Sequence, residues 1–337
     1  MRPFIVIALV VAAPLILRGQ PAATMPIEQL LRERLGVPAA EVARLAAGEV
    51  LATSIPATAG HEIAAAGAIR AKGDMRRLVA WIRDIEAFMK ASGSVNVGAI
   101  SSPATPADFA RINLDEVDFS DLASCRPGKC GVRMPAAFIE RFQKEINWKA
   151  ADANQQAARL TRTLLGEYVA AYQKGGDAAL GAHHNQQSPN QIANDFQDML
   201  RRSTKVWDIA YPFVSYLETY PRAAPAKAES RFYWTRDKIG TRPTLTLHHV
   251  VLEEFADGRV LVADKQFYAS RELDAALLIA LCVPTADKTG FDLVVSVKAR
   301  AEAAGGVVGR VLRSRIEKEM VEGLKIYLEW IRGSSAL

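Results

Sequence analysis

Three polar side chains, Asp264, Gln266 and Tyr268, recur at every second position and alternate with Leu261, Ala263, Phe267 and Ala269. In an extended strand successive side chains point to opposite faces, so this spacing predicts one polar and one apolar face. Arg271, Glu272 and Asp274 extend the polar series. A carboxylate, an amide, a phenol and a guanidinium set among apolar groups are the kind of functions that orient a bound molecule. An exposed sheet edge, or pairing of Arg271 with Asp274, fits the same residues. His248 and His249 are also neighbours on a strand pattern. They must face opposite ways, which excludes joint chelation of one metal and leaves His248 as the candidate for the polar face. Glu253 and Glu254 diverge for the same reason.

General acid–base catalysis needs close carboxylates or a histidine with a positioned partner. Neither is legible here, nor is a serine elbow, a glycine-rich phosphate loop or a metal-ligand spacing. The sequence therefore gives no reason to expect a catalytic residue, a bound metal or a cofactor. Cys282 lies in an apolar run and reads as a buried thiol, His183 and His184 sit in a polar Gly/Asn/Gln stretch that reads as an exposed loop, and Tyr233 and Trp234 suit either a pocket mouth or a core.

The elements that must position these groups run from Arg242 to Ile331. Thr244–Phe255 is rich in β-branched residues, Asp257-Gly258 suits the positive φ angles of a tight hairpin, and Arg259–Tyr268 resumes the strand pattern. An apolar run to Pro284, a polar turn over Thr285–Gly290 and Phe291–Ala299 complete a meander. After Gly305-Gly306 the period becomes helical: Val308, Leu312, Ile316, Met320, Leu324, Tyr327 and Ile331 form one apolar stripe. Such a helix, about 25 residues, would be roughly 37 Å long.

Upstream, Ile27–Ala47 reads as one or two short helices, and Glu49–Ile55 and Glu62–Ala71 as strands. Met75 to Met89 reads as one helix capped by Asp74, followed by a strand over Val95–Ile100 and an acidic loop containing Asp115, Glu116, Asp118 and Asp121. Pro135–Trp148, Asp152–Lys174, Asn190–Ser203 and Lys205–Tyr220 show helical spacing, and a Pro/Ala segment over Pro221–Ala228 returns the chain to strands. These patterns divide the chain into 1–23, a signal peptide or anchor; 24–48, short helices; 49–134, the first part of a sheet domain; 135–228, a helical insertion; and 229–337, the strands and final helix. The sheet is expected to draw on both sides of the insertion.

Composition bounds the function. A formal charge of +5, two units of it from Arg2 and Arg18, is too small and scattered for a nucleic-acid surface. Met1-Arg2-Pro3 followed by the apolar run Phe4–Leu17 has the layout of a secretory signal, with an uncleaved anchor at residues 4–17 as the alternative. Export, to a periplasm, is the expected destination. Cys125 and Cys130 bracket Arg-Pro-Gly-Lys, whose Pro-Gly turn would bring the sulfurs together as a disulfide; half of a metal site is the competing reading, without a second Cys/His pair to complete it.

Two strands and a helix, then long antiparallel strands, then Gly-Gly and a long amphipathic helix (VVGRVLRSRIEKEMVEGLKIYLEWI) make the chain resemble the helix-grip fold of the START-like, or SRPBCC, superfamily. Lys265-Gln266-Phe267-Tyr268-Ala269-Ser270 and that helix carry most of the likeness, which covers about residues 49–100 and 230–332. The resemblance implies an α+β fold: a curved antiparallel sheet packed on a long C-terminal helix, here with an inserted helical region. It also implies a cavity between sheet and helix that takes a hydrophobic small molecule or lipid. The expectation is thus an exported carrier, with membrane-surface contact, whose ligand meets Asp264, Gln266, Tyr268, Arg271 and His248. The alternatives are a START-like enzyme of the cyclase or hydratase type on a polycyclic or polyketide-like substrate, and an envelope protein docking through its helical middle.

Overall fold

The computed structural model describes residues 25–57, 62–187, 189, 191–203, 210–222, 224–225, 227–239, 242–301 and 306–335. The expected signal or anchor at residues 1–23, and the first part of the helix expected from Lys205, lie outside the described residues.

In chain order the helices are α1 (Ile27–Gln29, continued as a π-helical turn over Leu30–Arg34), α2 (Ala39–Ala46), α3 (Met75–Arg83), α4 (Ile85–Ala91), α5 (Glu116–Ser124), α6 (Ala136–Glu145), α7 (Ala153–Gly175), α8 (Ile192–Ser203), α9 (Tyr211–Thr219) and α10 (Gly306–Ser335). The strands are β1 (Leu51–Ser54), β2 (Glu62–Lys72), β3 (Val97–Ile100), β4 (Glu229–Ile239), β5 (Arg242–Glu254), β6 (Val260–Ala269), β7 (Leu273–Pro284) and β8 (Gly290–Ala301). They form one curved antiparallel sheet in the order β1-β2-β8-β7-β6-β5-β4-β3. The protein has an α+β helix-grip fold with a helical region inserted between β3 and β4.

β2 pairs with β8 along its whole length, Glu62 opposite Arg300 and Lys72 opposite Gly290, so strands from the two ends of the chain meet next to the β1 edge of the sheet. The hairpin after β5 turns at Gly258, whose φ of 88° is open to glycine at little cost, with Phe255 and Arg259 closing the backbone pair. Alternate residues sort the sheet into two faces. One face of β5–β8, with Val250, Val262, Ala280, Leu293 and Val295, looks towards α3, α4 and α10. The other, with Val251, Leu261, Ala263, Leu277, Ile279 and Val294, packs on α1, α2, α8 and α9, and α7 covers Phe232, Trp234, Leu247 and Phe267 further along.

The stripe from Met75 to Met89 is two helices rather than one. Asp84 leaves helical geometry and its carboxylate accepts from the Ala87 backbone N–H at 3.2 Å, so it caps α4 and turns the chain around the sheet. The acidic segment expected as a loop is α5, capped by Asp115, which accepts from the Asp118 N–H while Asp118 accepts from the Asp115 N–H. Cys125 and Cys130 stand at disulfide distance just beyond its end, with Cα atoms 4.3 Å apart. His183, expected on an exposed loop, is fully buried against Tyr168, whose hydroxyl is 3.2 Å from its Nε2. Burial pushes its pKa down to about 3 and keeps the ring neutral.

Two close fits hold the layers in register. On β2, a Cβ added at Gly67 would stand 2.5 Å from Leu328 Cδ1 and 3.0 Å from Leu324 Cδ2, so glycine there is what lets α10 lie against the strand. On the opposite face Lys265, fully buried, donates to Asp177 and to the Leu217 carbonyl at 3.2 Å, with its ammonium 4.0 Å from the Phe196 ring. Burial drives the Lys265 pKa down and the Asp177 pKa up, while their attraction opposes both shifts. Gly67→Val should destabilise the fold by about 1–3 kcal/mol through overpacking. Asp177→Ala, which strands a buried ammonium, should cost about 3–5 kcal/mol. Urea unfolding followed by circular dichroism measures both.

Candidate functional site

α10 lies over β1 and β2, at one side of the sheet, while α3 and α4 stand over the other side near β3 and β4. Between them the central strands are left bare, and a cavity of about 310 Å³ opens there. Val262, Ala280, Leu293 and Val295 form its floor, Ile82 and Phe88 one wall, and Leu324 and Tyr327 the other. An aromatic cluster bridges the walls: Trp330 of α10 sits 5.4 Å from Trp81 and 5.5 Å from Phe88, and Tyr327 meets Phe88 edge-on at 5.6 Å. Such a volume is at the lower end of the roughly 300–1,000 Å³ of small-molecule pockets.

One polar cluster faces this space. Asp264 lines the cavity from β6; its Oδ2 accepts from the Tyr233 hydroxyl and its Oδ1 lies 3.0 Å from His248 Nδ1. His248 pairs with Tyr233 across β4 and β5, and their rings stack with centroids 4.4 Å apart. His248 Nε2 is 2.8 Å from the Thr246 hydroxyl, which is 2.8 Å from that of Thr235. In the neutral ring, the tautomer that serves both contacts carries its proton on Nδ1, donates it to Asp264 and accepts at Nε2 from Thr246. Burial, and then the neighbouring Asp264, raise the Tyr233 pKa well above that of a free phenol, so Tyr233 is the donor in its pair. Next along β4, Asp237 accepts from the Ser94 hydroxyl at 3.0 Å, and burial raises its pKa.

No protein-family model matches this sequence, and no curated protein matches it. The chemistry of the site therefore rests on its geometry.

The expected site residues divide between the two faces. Asp264 lines the cavity, His248 lies on the same face against it, and Gln266 follows on that face, buried, its Nε2 without a hydrogen-bond partner among the described residues. Tyr268 does not join them. The β5–β6 register pairs His248 with Gln266 but Leu247 with Tyr268, so Phe267 is an extra residue and the alternation reverses at this bulge. Phe267 then stacks on Tyr172 at 4.1 Å, and Tyr268 donates to the Arg133 carbonyl at 2.9 Å beneath the insertion. Arg271 is also elsewhere: it donates to Asp118 at 2.9 Å and Asp121 at 2.7 Å of α5, and the expected partner Asp274 pairs with Arg133 instead. Tyr268 and Arg271 border a separate cavity of about 60 Å³ under α7.

His249, as alternation requires, points away from His248; its Nδ1 is 3.1 Å from the Tyr172 hydroxyl and its Nε2 3.0 Å from Ser230 Oγ. Tyr233 and Trp234 separate in the same way, Tyr233 to the cavity cluster and Trp234 to the Asp108 carbonyl at 2.9 Å. The sequence signal for this wall was the run Tyr233, Thr235, Asp237, a second period-two series that only the pairing with β5 brings beside His248.

Cys282 lines the cavity, where burial pushes its thiol up to about 12. At pH 8 only about one molecule in ten thousand would carry the thiolate. Iodoacetamide at that pH should leave Cys282 unmodified in the folded protein and alkylate it fully in denaturant, as read by intact mass. Rapid labelling of the native state would contradict this enclosure.

Proposed function

We propose that the protein is a START-like binding protein that holds a hydrophobic molecule in the cavity between its sheet and α10. The observation that carries this reading is the contrast on the cavity wall: around a hollow of about 310 Å³, an aliphatic and aromatic lining meets one hydrogen-bonded group on the sheet side, Asp264 with Tyr233 and His248. Burying an apolar ligand there would contribute about 2.5 kcal/mol for each 100 Å² removed from water, and the polar cluster would fix which end enters first. The aromatic contacts between α10 and α3–α4 close one side of the hollow.

Export is part of the proposal. It draws on the apolar run over residues 4–17 and on Cys125 and Cys130 at disulfide distance, a pairing that persists in oxidising compartments. Among the described residues no helix is long and apolar enough to cross a membrane. A carrier of this kind would exchange its cargo at a membrane surface.

The hydrogen-bonded His248, Asp264 and Tyr233 favour a second reading, a START-like enzyme of the cyclase or hydratase type, because a positioned imidazole–carboxylate pair can move a proton. Native mass spectrometry of the full chain purified from a periplasmic fraction without detergent, followed by organic extraction, tests both. The carrier reading expects a stoichiometric apolar adduct that is recovered chemically unchanged after prolonged incubation with the protein; conversion to a product of different mass would favour the enzyme. Ala280→Trp, which places a large ring on the cavity floor, should abolish the adduct while leaving the circular dichroism spectrum intact. An adduct that survives Ala280→Trp would place the ligand elsewhere.

A further inference from the structure

The cavity wall has a one-sided charge. Its ionisable lining residues are Asp264, Glu319, Tyr233, Tyr327 and Cys282, and among the described residues no lysine or arginine lines it. The two phenols and the thiol hold their protons, since burial is the largest cause of a raised pKa at each. Asp237, on the same face of β4, adds a further acid beyond the Thr235–Thr246 pair. Of the cations on α10, Arg315 is taken up by Glu319, its Nε 2.9 Å from Oε1, and Lys318 and Lys325 lie on the far side of the helix beside Ser54. Lys265, adjacent to Asp264 in sequence, is on the opposite face of the sheet with Asp177.

Asp264 is arranged as an acceptor on both oxygens. Tyr233 donates to Oδ2 and His248 Nδ1 to Oδ1. A carboxylate offers about four lone-pair sites, so two remain for a molecule in the cavity. A head group that donates a hydrogen bond meets those sites, whereas a second anion would sit beside a carboxylate in an apolar hollow that no lysine or arginine lines among the described residues.

Resting on the cavity reading above, we infer that the site selects apolar molecules whose head is a neutral or cationic hydrogen-bond donor, a hydroxyl or an amine, and excludes carboxylate and phosphate heads. Asp264 is the specificity-determining residue: it accepts the head's proton-bearing atom, and Tyr233 and His248 hold it in place. Discrimination then comes from the penalty on the wrong head as much as from attraction for the right one.

Three probes with the same alkyl chain separate head from tail: decanol, decylamine and decanoate, titrated calorimetrically into the purified full chain at neutral pH. Decanol and decylamine are expected to bind, and decanoate to bind about tenfold more weakly or worse, since a like-charge encounter costs several kcal/mol and each 1.4 kcal/mol is tenfold. Asp264→Asn, checked for folding by circular dichroism, should raise the affinity for decanoate relative to decylamine by about tenfold. Decanoate binding as tightly as decanol to the unmodified protein would overturn the inference by itself. If that binding is lost in Ala280→Trp, the cavity reading stands and only the head-group selectivity falls. If none of the three probes binds, the cavity reading fails and the selectivity falls with it.

Discussion

A sheet of eight strands is wider than one helix can cover. At about 4.8 Å per strand the sheet spans roughly 34 Å, whereas a helix with its side chains is about 10 Å across. α10 resolves the mismatch by seating over β1 and β2, where Gly67 permits close approach, and α3 and α4 take the opposite side. The central strands are left with apolar side chains facing a gap. The cavity is thus what remains when three helices roof a sheet they cannot tile, and the Trp81, Phe88, Tyr327 and Trp330 cluster keeps the two sides from drifting apart.

The other face of the sheet cannot relax to fill that gap because it is fully engaged. α1, α2, α8 and α9 bury one half of it, and α7 the other through Phe232, Leu247, Phe267 and Tyr172. Lys265 and Asp177 anchor this packing with a buried ion pair that has value only while the insertion is docked. Arg271, which the sequence offered as a ligand contact, serves the same purpose. Arg271 and Arg236 converge on Asp118 of α5, so the acidic segment and the strand ends are stitched together by charge-assisted bonds rather than left to bind a partner.

Much of this was legible in the chain. Period-two and helical patterns marked the β5–β8 meander and α10, because each has one or both faces buried and the burial writes its period into the residues. The Asp257-Gly258 turn set the β5–β6 hairpin, and the small residues of β2 are explained by a strand packed on both faces, with Ala64, Ala66 and Ala68 on one side and Ala65, Gly67 and Ile69 towards α10. The capping role of Asp115 in α5 was present in the spacing to Asp118 and passed unread as a run of acids. The break at Asp84 was less visible, since the apolar stripe continues through it and only the carboxylate's bond to Ala87 diverts the backbone.

For the site, the sequence by itself determined the residue types and, wherever strands were regular, the face: His248 opposed to His249, and Asp264 aligned with Gln266. What only tertiary structure decided was register. One extra residue at Phe267 moved Tyr268 to the wrong side of the sheet, and the β4–β5 pairing carried Tyr233 beside His248 from fifteen residues away. Local periodicity reports which way a side chain points relative to its neighbours. A bulge or a cross-strand partner is set by the balance of packing on two faces at once, and that balance is not written in any single stretch of the chain.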